Sequence, residues 1–197
     1  GEEFLTAFTV GVEVACRVGL AARSRRRGWG FLPTSVEGGF GAVAAVCRLL
    51  GLTVDRTVHA MGIAYTQASG NRQALLDMTL TKRMQPAFAA RAATVAACLA
   101  RKGVTGPHRA LEGEAGLFRT YLNGGAPEAI HRKPVDRWQI ERLTCKRYPS
   151  CGAAHPVADM ALALARAHDL RADDVERVEI SFAGTARSLK RAIMMDT

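Results

Sequence analysis

Residues 34–45 read Thr-Ser-Val-Glu-Gly-Gly-Phe-Gly-Ala-Val-Ala-Ala. Thr34 followed three residues later by Glu37 is a capping-box pattern, which predicts that a helix begins here. Most side chains after Glu37 are glycine or alanine, although a glycine costs a helix about 1 kcal/mol relative to alanine. We therefore predict that this helix packs its backbone closely against a neighbour, or that a ligand lies against its first turn.

Apolar side chains recur at helical spacing on both sides of this stretch, and they predict a mainly α fold. Glycine and proline residues separate the periodic segments, as expected for loops between helices. Residues 70–83 are polar without a sustained period, and we predict a loop there. The predicted helices cover residues 2–27, 34–50, 55–69, 84–103 and 113–122.

The pattern changes after residues 123–127, Asn-Gly-Gly-Ala-Pro. Residues 139–146 are predicted to be extended, a helix follows at His155, and residues 178–182 alternate between apolar and polar as in a half-buried strand. A strand, a helix and a strand after five helices predict a second, α+β domain. We predict an all-helical domain over residues 1–130 and a smaller α+β domain over residues 131–197.

The net charge of +9 raises the question of nucleic-acid binding. The densest basic cluster, residues 23–27, is predicted to be a solvated helix end, and the chain has no helix-turn-helix or zinc-finger pattern. We therefore predict no nucleic-acid partner. No targeting segment opens the chain, and no apolar run approaches the roughly 20 residues of a membrane span, so we expect a cytoplasmic protein without a membrane partner.

The five cysteines are scattered and odd in number, which is typical of a reducing compartment. Cys145, Cys151 and His155 are spaced C-x5-C-x3-H with no fourth ligand nearby, whereas zinc sites show tighter cysteine pairs. We predict no metal at this place.

Residues 145–159 read Cys-Lys-Arg-Tyr-Pro-Ser-Cys-Gly-Ala-Ala-His-Pro-Val-Ala-Asp. Proline is favoured at the first helical position, so Pro156 places His155 at the N-cap of an amphipathic helix. A histidine at the edge of a helix is a candidate proton acceptor, and the alternative is that His155 only caps the helix.

Several stretches together resemble the MmgE/PrpD family, also called the 2-methylcitrate dehydratase family. Their order and spacing span nearly the whole chain, and the ordered set is specific although no single motif is. The matching stretches are residues 31–42, 67–70, 78–91, 103–107, 111–118 and 146–151 with His155.

The resemblance implies a large all-helical domain with a smaller α+β lid domain, usually in a homodimer, and an active site between the domains. It implies acid–base chemistry beside a carboxylate of a small di- or tricarboxylic acid, without a cofactor or a required metal. The family's activities include 2-methylcitrate dehydration, cis-aconitate decarboxylation and iminodisuccinate epimerisation. In this resemblance Lys82 matches the active-site lysine and His155 matches the lid histidine.

The chain departs from the family pattern at three positions. The family often has histidine where this chain has Leu32, some members have histidine at Gln85, and glycine is common at Ala87. The resemblance also implies that site residues come from regions outside this sequence. We therefore expect the isolated segment to be inactive.

Proton removal beside a carboxylate builds negative charge, so such a site needs cations, hydrogen-bond donors and a base. We predict that Lys82 holds a substrate carboxylate or relays a proton, and that His155 is a general acid or base. Capping alone would equally explain Thr34 and Ser35, and strand-end charge would explain Lys146 and Arg147. The predicted substrate-binding residues are Thr34, Ser35, Gln85, Lys146 and Arg147.

Two other classes of function remain open at this stage. An inactive family member would serve as a scaffold or a dimer partner and would not turn over polycarboxylates. An anion- or nucleic-acid-binding module would show a steep salt dependence of its affinity for duplex DNA or RNA.

Overall fold

A computed structural model describes residues 1–22, 30–122, 124–131 and 137–181. The chain divides into two compact units, Gly1–Leu143 and Thr144–Thr197. The helices are α1 (Glu2–Ala22), α2 (Pro33–Leu49), α3 (Val54–Tyr65), α4 (Gln73–Leu76), α5 (Thr81–Arg101), α6 (Leu117–Thr120), α7 (Glu128–His131) and α8 (His155–Ala167). Short 3-10 turns lie at Gln139–Arg142, Gly152–Ala154 and Ala172–Asp174.

The helix α2 is the centre of the first unit, because it packs against α1, α3 and α5. Its crossing with α1 is made by two glycines. A methyl group on Gly11 would stand 2.8 Å from the carbonyl oxygen of Gly41, and one on Gly41 would collide with the carbonyl oxygen of Gly11. The predicted close packing of this helix is confirmed at Gly41.

Two apolar clusters flank α2. One joins the end of α1 to the region of α6 and contains Val18, Phe40, Leu117 and Phe118. The other is built mostly from small side chains of α2, α3 and α5, which lets these helices approach closely. Its buried members are Val43, Cys47, Ala60, Ile63, Ala93, Ala96, Ala97 and Ala100.

A buried carboxylate ties later segments to α1. Glu13 pairs with Arg17 at 2.7 Å and accepts a hydrogen bond from the backbone N–H of Gln139 at 2.6 Å. Arg17 also donates to the carbonyl oxygen of Ile130 at 2.7 Å. Residues 128–131 and 137–143 therefore belong to the first unit. The predicted domain boundary between residues 130 and 131 stays a prediction.

The capping box predicted at Thr34 is wrong. Because the residue before a proline is driven into an extended conformation, Leu32 becomes the N-cap and Pro33 the first helical residue. Neither Thr34 nor Glu37 occupies a cap position, and the cap has no side-chain hydrogen bond.

The predicted loop over residues 70–83 is partly wrong. The short helix α4 interrupts it, and α5 begins at Thr81 instead of Met84. Polar residues at the start of α5 hid the helical period, because the first turn of this helix is exposed to solvent.

The prediction of strands in the second domain is not supported within the described residues. Gln139–Arg142 forms a 3-10 turn, and residues 178–181 form no strand in the described part of the chain. Phe182 lies outside the described residues, as do residues 23–27 with their basic cluster. The described chain is mainly α, as predicted.

By length and composition alone, α1 could cross a membrane. This corrects the expectation that no apolar run approaches such a length. Core helices of soluble proteins and signal sequences pass the same test, so the finding assigns no location. The predictions of a cytoplasmic protein without a membrane partner stay predictions.

Candidate active site

The residues predicted from sequence fall into two groups, one in each unit. Thr34, Ser35, Lys82 and Gln85 belong to the first unit, and Lys146, Arg147 and His155 belong to the second. Each group has its own geometry.

In the first unit, a short backbone clamp holds the beginning of α2. Phe31 and Asn71 form an isolated antiparallel bridge. The N–H of Leu32 donates to the carbonyl oxygen of Gly70 at 3.1 Å, and the N–H of Arg72 donates to that of Gly30 at 2.9 Å. The turn after α3 is thereby fixed against the first turn of α2.

Ser35 and Gln85 are buried and converge on Gly70. A methyl group on Gly70 would lie 3.0 Å from both the Ser35 Oγ and the Gln85 Oε1. The positive φ of Gly70, 126°, is also one that favours glycine. The side chains of Ser35 in α2 and Gln85 in α5 therefore both approach the backbone of Gly70, which has no side chain in the way.

The two oxygen atoms in this group share an unusual property. The Gln85 Nε2 donates to the carbonyl oxygen of Asn71 at 3.0 Å, but the Ser35 Oγ and the Gln85 Oε1 have no hydrogen-bond partner among the described residues. Buried polar atoms are nearly always paired with protein, water or a ligand. The Ser35 Oγ and the Gln85 Oε1 are therefore candidate binding atoms of the first unit.

A small cavity of about 30 Å³ adjoins Ser35. Its volume suits two or three water molecules, since one water needs roughly 10–15 Å³. The cavity runs between α2, α3 and α5, and its lining includes Ser35, Phe40, Tyr65, Gln67 and Phe88.

Lys82 and Thr34 are exposed, in contrast to Ser35 and Gln85. Lys82 lies in the first turn of α5, three residues before Gln85, whereas the sequence predicted that it precedes the helix. Its N–H donates to the carbonyl oxygen of Thr79 at 3.2 Å, and the N–H of Arg83 donates to that of Leu80 at 2.9 Å. These two amides are therefore occupied, and neither is free to bind an anion at this turn.

Pro86 changes the backbone at the same place. Proline has no N–H, so the helical hydrogen bond to the carbonyl of the residue four positions earlier is missing. That residue is Lys82. The turn that carries the lysine is therefore joined to the rest of α5 by one bond fewer than a regular helix has.

In the second unit, His155 is the first residue of α8 and not its N-cap, which is Ala154. The imidazole meets the Tyr148 ring edge-on, with centroids 5.2 Å apart. Its Nε2 is buried and has no hydrogen-bond partner among the described residues. Buried polar atoms are nearly always paired with protein, water or a ligand, so this nitrogen is a candidate contact for a bound molecule.

Asp159 organises the surroundings of this histidine. The Tyr148 hydroxyl donates to its Oδ1 at 2.6 Å, and the Arg147 guanidinium lies 3.3 Å from the same oxygen. The hydrogen bond to the carboxylate raises the pKa of Tyr148. The Lys146 Nζ donates to the carbonyl oxygen of Ser150 at 3.0 Å, so both predicted carboxylate-binding cations already have partners within the chain.

Sequence reasoning gave no role to Tyr148, Asp159 or Gly70. Tyr148 and Asp159 stand eleven positions apart, a separation that no helix or strand period singles out. One indication for Gly70 was present in the sequence, because a glycine between a helix and a polar segment often marks an unusual backbone angle.

Comparison with known proteins gives a match to a family model and to several relatives. The profile of the MmgE/PrpD N-terminal domain matches residues 1–130. The cis-aconitate decarboxylase-like protein oryM of Aspergillus oryzae is 37% identical over 165 residues, covering 79% of this chain and 34% of that protein.

Two further relatives are named cis-aconitate decarboxylases. The Homo sapiens protein is 32% identical over 82% of this chain and 34% of its own length, and that of Aspergillus terreus is 32% identical over 79% and 33%. The chain spans about a third of the length of these curated relatives. With its helical first unit matched over residues 1–130, the chain belongs to the MmgE/PrpD family.

Proposed function

We propose that the intact protein is a cofactor-independent lyase that acts on a small polycarboxylic acid, with a cis-aconitate decarboxylase-like activity. The observation that carries this proposal is the identity of 30–37% to proteins named cis-aconitate decarboxylase or cis-aconitate decarboxylase-like. It is favoured over the 2-methylcitrate dehydration and the iminodisuccinate epimerisation that the family resemblance also implied.

Decarboxylation breaks one carbon–carbon bond and forms one carbon–hydrogen bond. The electron pair left by the departing CO₂ must meet a proton, so the reaction needs a proton donor and groups that hold the remaining carboxylates. The unpaired Nε2 of His155 supports its role as the proton donor. The exposed ammonium of Lys82 is suited to holding a carboxylate.

Ser35 and Gln85 are proposed to contribute further polar contacts to the substrate from the first unit. Their unpaired oxygen atoms converge on Gly70 from two helices. The Ser35 hydroxyl can donate to a carboxylate, and the Gln85 Oε1 can accept from a protonated acid or a water molecule. Thr34, Lys146 and Arg147 are proposed as further contacts, and the two cations would exchange their present partners in the chain for the substrate.

The intact protein should be assayed for CO₂ release from cis-aconitate, with 2-methylcitrate and iminodisuccinate as competing substrates. Lys82→Ala and His155→Ala should each lower turnover by about 100-fold or more, as expected for acid–base and charge-holding groups. Arg83→Ala and His168→Ala are the matched controls. Arg83 is an exposed cation next to Lys82, and His168 is an exposed histidine in the same unit as His155. Near-normal turnover in both site variants would contradict the proposed roles.

An inactive family member acting as a scaffold or dimer partner is the second candidate. It is favoured by Leu32 and Gln85, since neither side chain can transfer a proton where relatives of this family carry histidine. Calorimetric titration with cis-aconitate separates the two candidates. Binding with turnover supports the lyase, whereas the absence of turnover with every tested acid supports the scaffold.

A further inference from the structure

We propose that Asp55, His59 and His108 form a binding site for a divalent transition-metal ion, with Zn²⁺ as the best match. The candidate ligand atoms of these three residues all lie within 4.8 Å of one another. The site belongs to the first unit and shares no residue with the acid–base site proposed above.

Two imidazoles and one carboxylate are a donor set that Zn²⁺ prefers, and three protein ligands leave a fourth position for water. In a tetrahedral zinc site the ligand atoms stand roughly 3.4 Å apart, given metal–ligand distances near 2.0–2.1 Å. Closure from the observed spacing needs movement of about an ångström. Asp55 and His108 are exposed and can supply it, while His59 is buried and anchors the site.

The spacing of the first two ligands follows from the helix. Asp55 and His59 are four residues apart on α3, so they share one face. The His59 Nε2 lies 3.7 Å from the Asp55 Oδ2. A metal ion between these two atoms would replace this long contact by two coordinate bonds.

The third ligand, His108, is positioned by close backbone contacts at two glycines, Gly62 and Gly106. A methyl group on Gly62 would collide with the carbonyl oxygen of Pro107, and one on Gly106 would stand 2.5 Å from the carbonyl oxygen of His59. The segment before His108 therefore rests directly on the backbone of α3. As a result, the rings of His59 and His108 meet edge to face with centroids 4.6 Å apart.

The second nitrogen of His59 has a backbone neighbour of the kind that orients metal-bound histidines. The Nδ1 lies 3.2 Å from the carbonyl oxygen of Gly106. The N–H of Gly106 also lies 3.3 Å from Nδ1. Metal binding at Nε2 requires the tautomer with its proton on Nδ1, in which the imidazole donates to the Gly106 carbonyl oxygen. Such a backbone partner fixes the tautomer and orientation of a metal-binding imidazole.

The test is a calorimetric titration of the metal-stripped protein with Co²⁺ and then with Zn²⁺. The exposed thiols of Cys145 and Cys151 also bind these ions, so the parent protein carries Cys145→Ser and Cys151→Ser. We expect one saturable site in this parent and a visible absorption band for tetrahedral Co²⁺.

His108→Ala and Asp55→Asn should each weaken the affinity by about 10-fold or more, because even outer-shell partners of metal ligands are worth that much. His168→Ala is the matched control, since it also removes an exposed histidine, and it should bind like the parent. Both test positions are exposed, so their variants should keep the parent's circular dichroism. Unchanged affinity in His108→Ala and Asp55→Asn, or no saturable binding by the parent, overturns the proposal.

Discussion

Tyr148 joins the loop before α8 to the helix itself. Its hydroxyl binds the Asp159 carboxylate, and its ring packs edge-on against His155. Because Asp159 lies one turn beyond His155 on α8, the phenol spans the face from which the imidazole projects. Asp159 is thereby a positioning residue for the histidine through Tyr148.

The titration of Tyr148 tests this link. The carboxylate raises the phenol pKa in the folded protein, so the hydrogen bond stabilises the fold below the usual pKa near 10 and is lost as the pH rises through the raised value. Asp159→Asn should shift the Tyr148 transition to lower pH in an ultraviolet titration. Asp173→Asn, on an exposed turn of the same unit, should leave it in place, and an unshifted curve in Asp159→Asn would refute the link.

The exact position of His155 shows what residue-level sequence rules can predict. The sequence correctly predicted a helix at this histidine, but it placed Pro156 at the first helical position instead of the second. The rule could not choose, because every N–H of the first helical turn lacks a helical partner and proline is tolerated at each of these positions.

At the scale of elements, the crossing of α1 and α2 limits the size of the side chains that each helix can carry at the contact point. Gly11 and Gly41 face each other, and each would bring a methyl group against the carbonyl oxygen of the other. Gly38 stands on the same helix, but a methyl group there would meet nothing within 4 Å. The two glycines of one helix therefore have opposite roles.

Gly41→Ala should destabilise the protein by about 1–3 kcal/mol, which is typical of an overpacked core. Gly38→Ala should stabilise it by roughly 0.5–1 kcal/mol, because alanine is the better helix former. Urea denaturation monitored by circular dichroism measures both changes. Equal effects of the two substitutions on the free energy of unfolding would show that α1 and α2 are not closely packed at Gly41.

The helices themselves were largely predictable, because apolar residues at helical spacing form the face of a helix that is buried in the core. Their beginnings were less so. Pro33 imposed an extended Leu32 and displaced the apparent cap at Thr34, and the exposed first turn of α5 carried no apolar period. The convergence of Ser35 and Gln85 on Gly70 was not predictable, because it depends on how α2, α5 and the turn after α3 pack in space.

At the scale of the whole molecule, the two units differ in how much they bury. The helix α2 contains buried residues along its length, including Val36, Phe40, Val43 and Cys47. Burial also raises the pKa of the Cys47 thiol. In α8 no residue is buried. Stability in a protein follows the density of such buried contacts.

Hydrogen exchange followed by mass spectrometry should therefore separate the units. Amides of α2 and α5 should exchange far more slowly than those of α8, because opening α2 exposes the apolar clusters of the first unit. Peptides from α3, which contributes to the second apolar cluster, serve as an internal reference for the first unit. Equal protection of α2 and α8 would mean that the intact protein buries α8 against further structure.

The facing glycines of α1 and α2 also constrain how this family member can vary. A side chain that clashes with another side chain can be rescued by a second mutation that makes its neighbour smaller. A side chain at Gly41 meets the main-chain oxygen of Gly11, which no substitution removes, in addition to the Ala15 methyl group at 2.7 Å. Ala15→Gly would relieve only one of these two clashes. We therefore expect that no single second-site mutation restores the stability of a Gly41 variant. We also expect glycine to be retained at both Gly11 and Gly41.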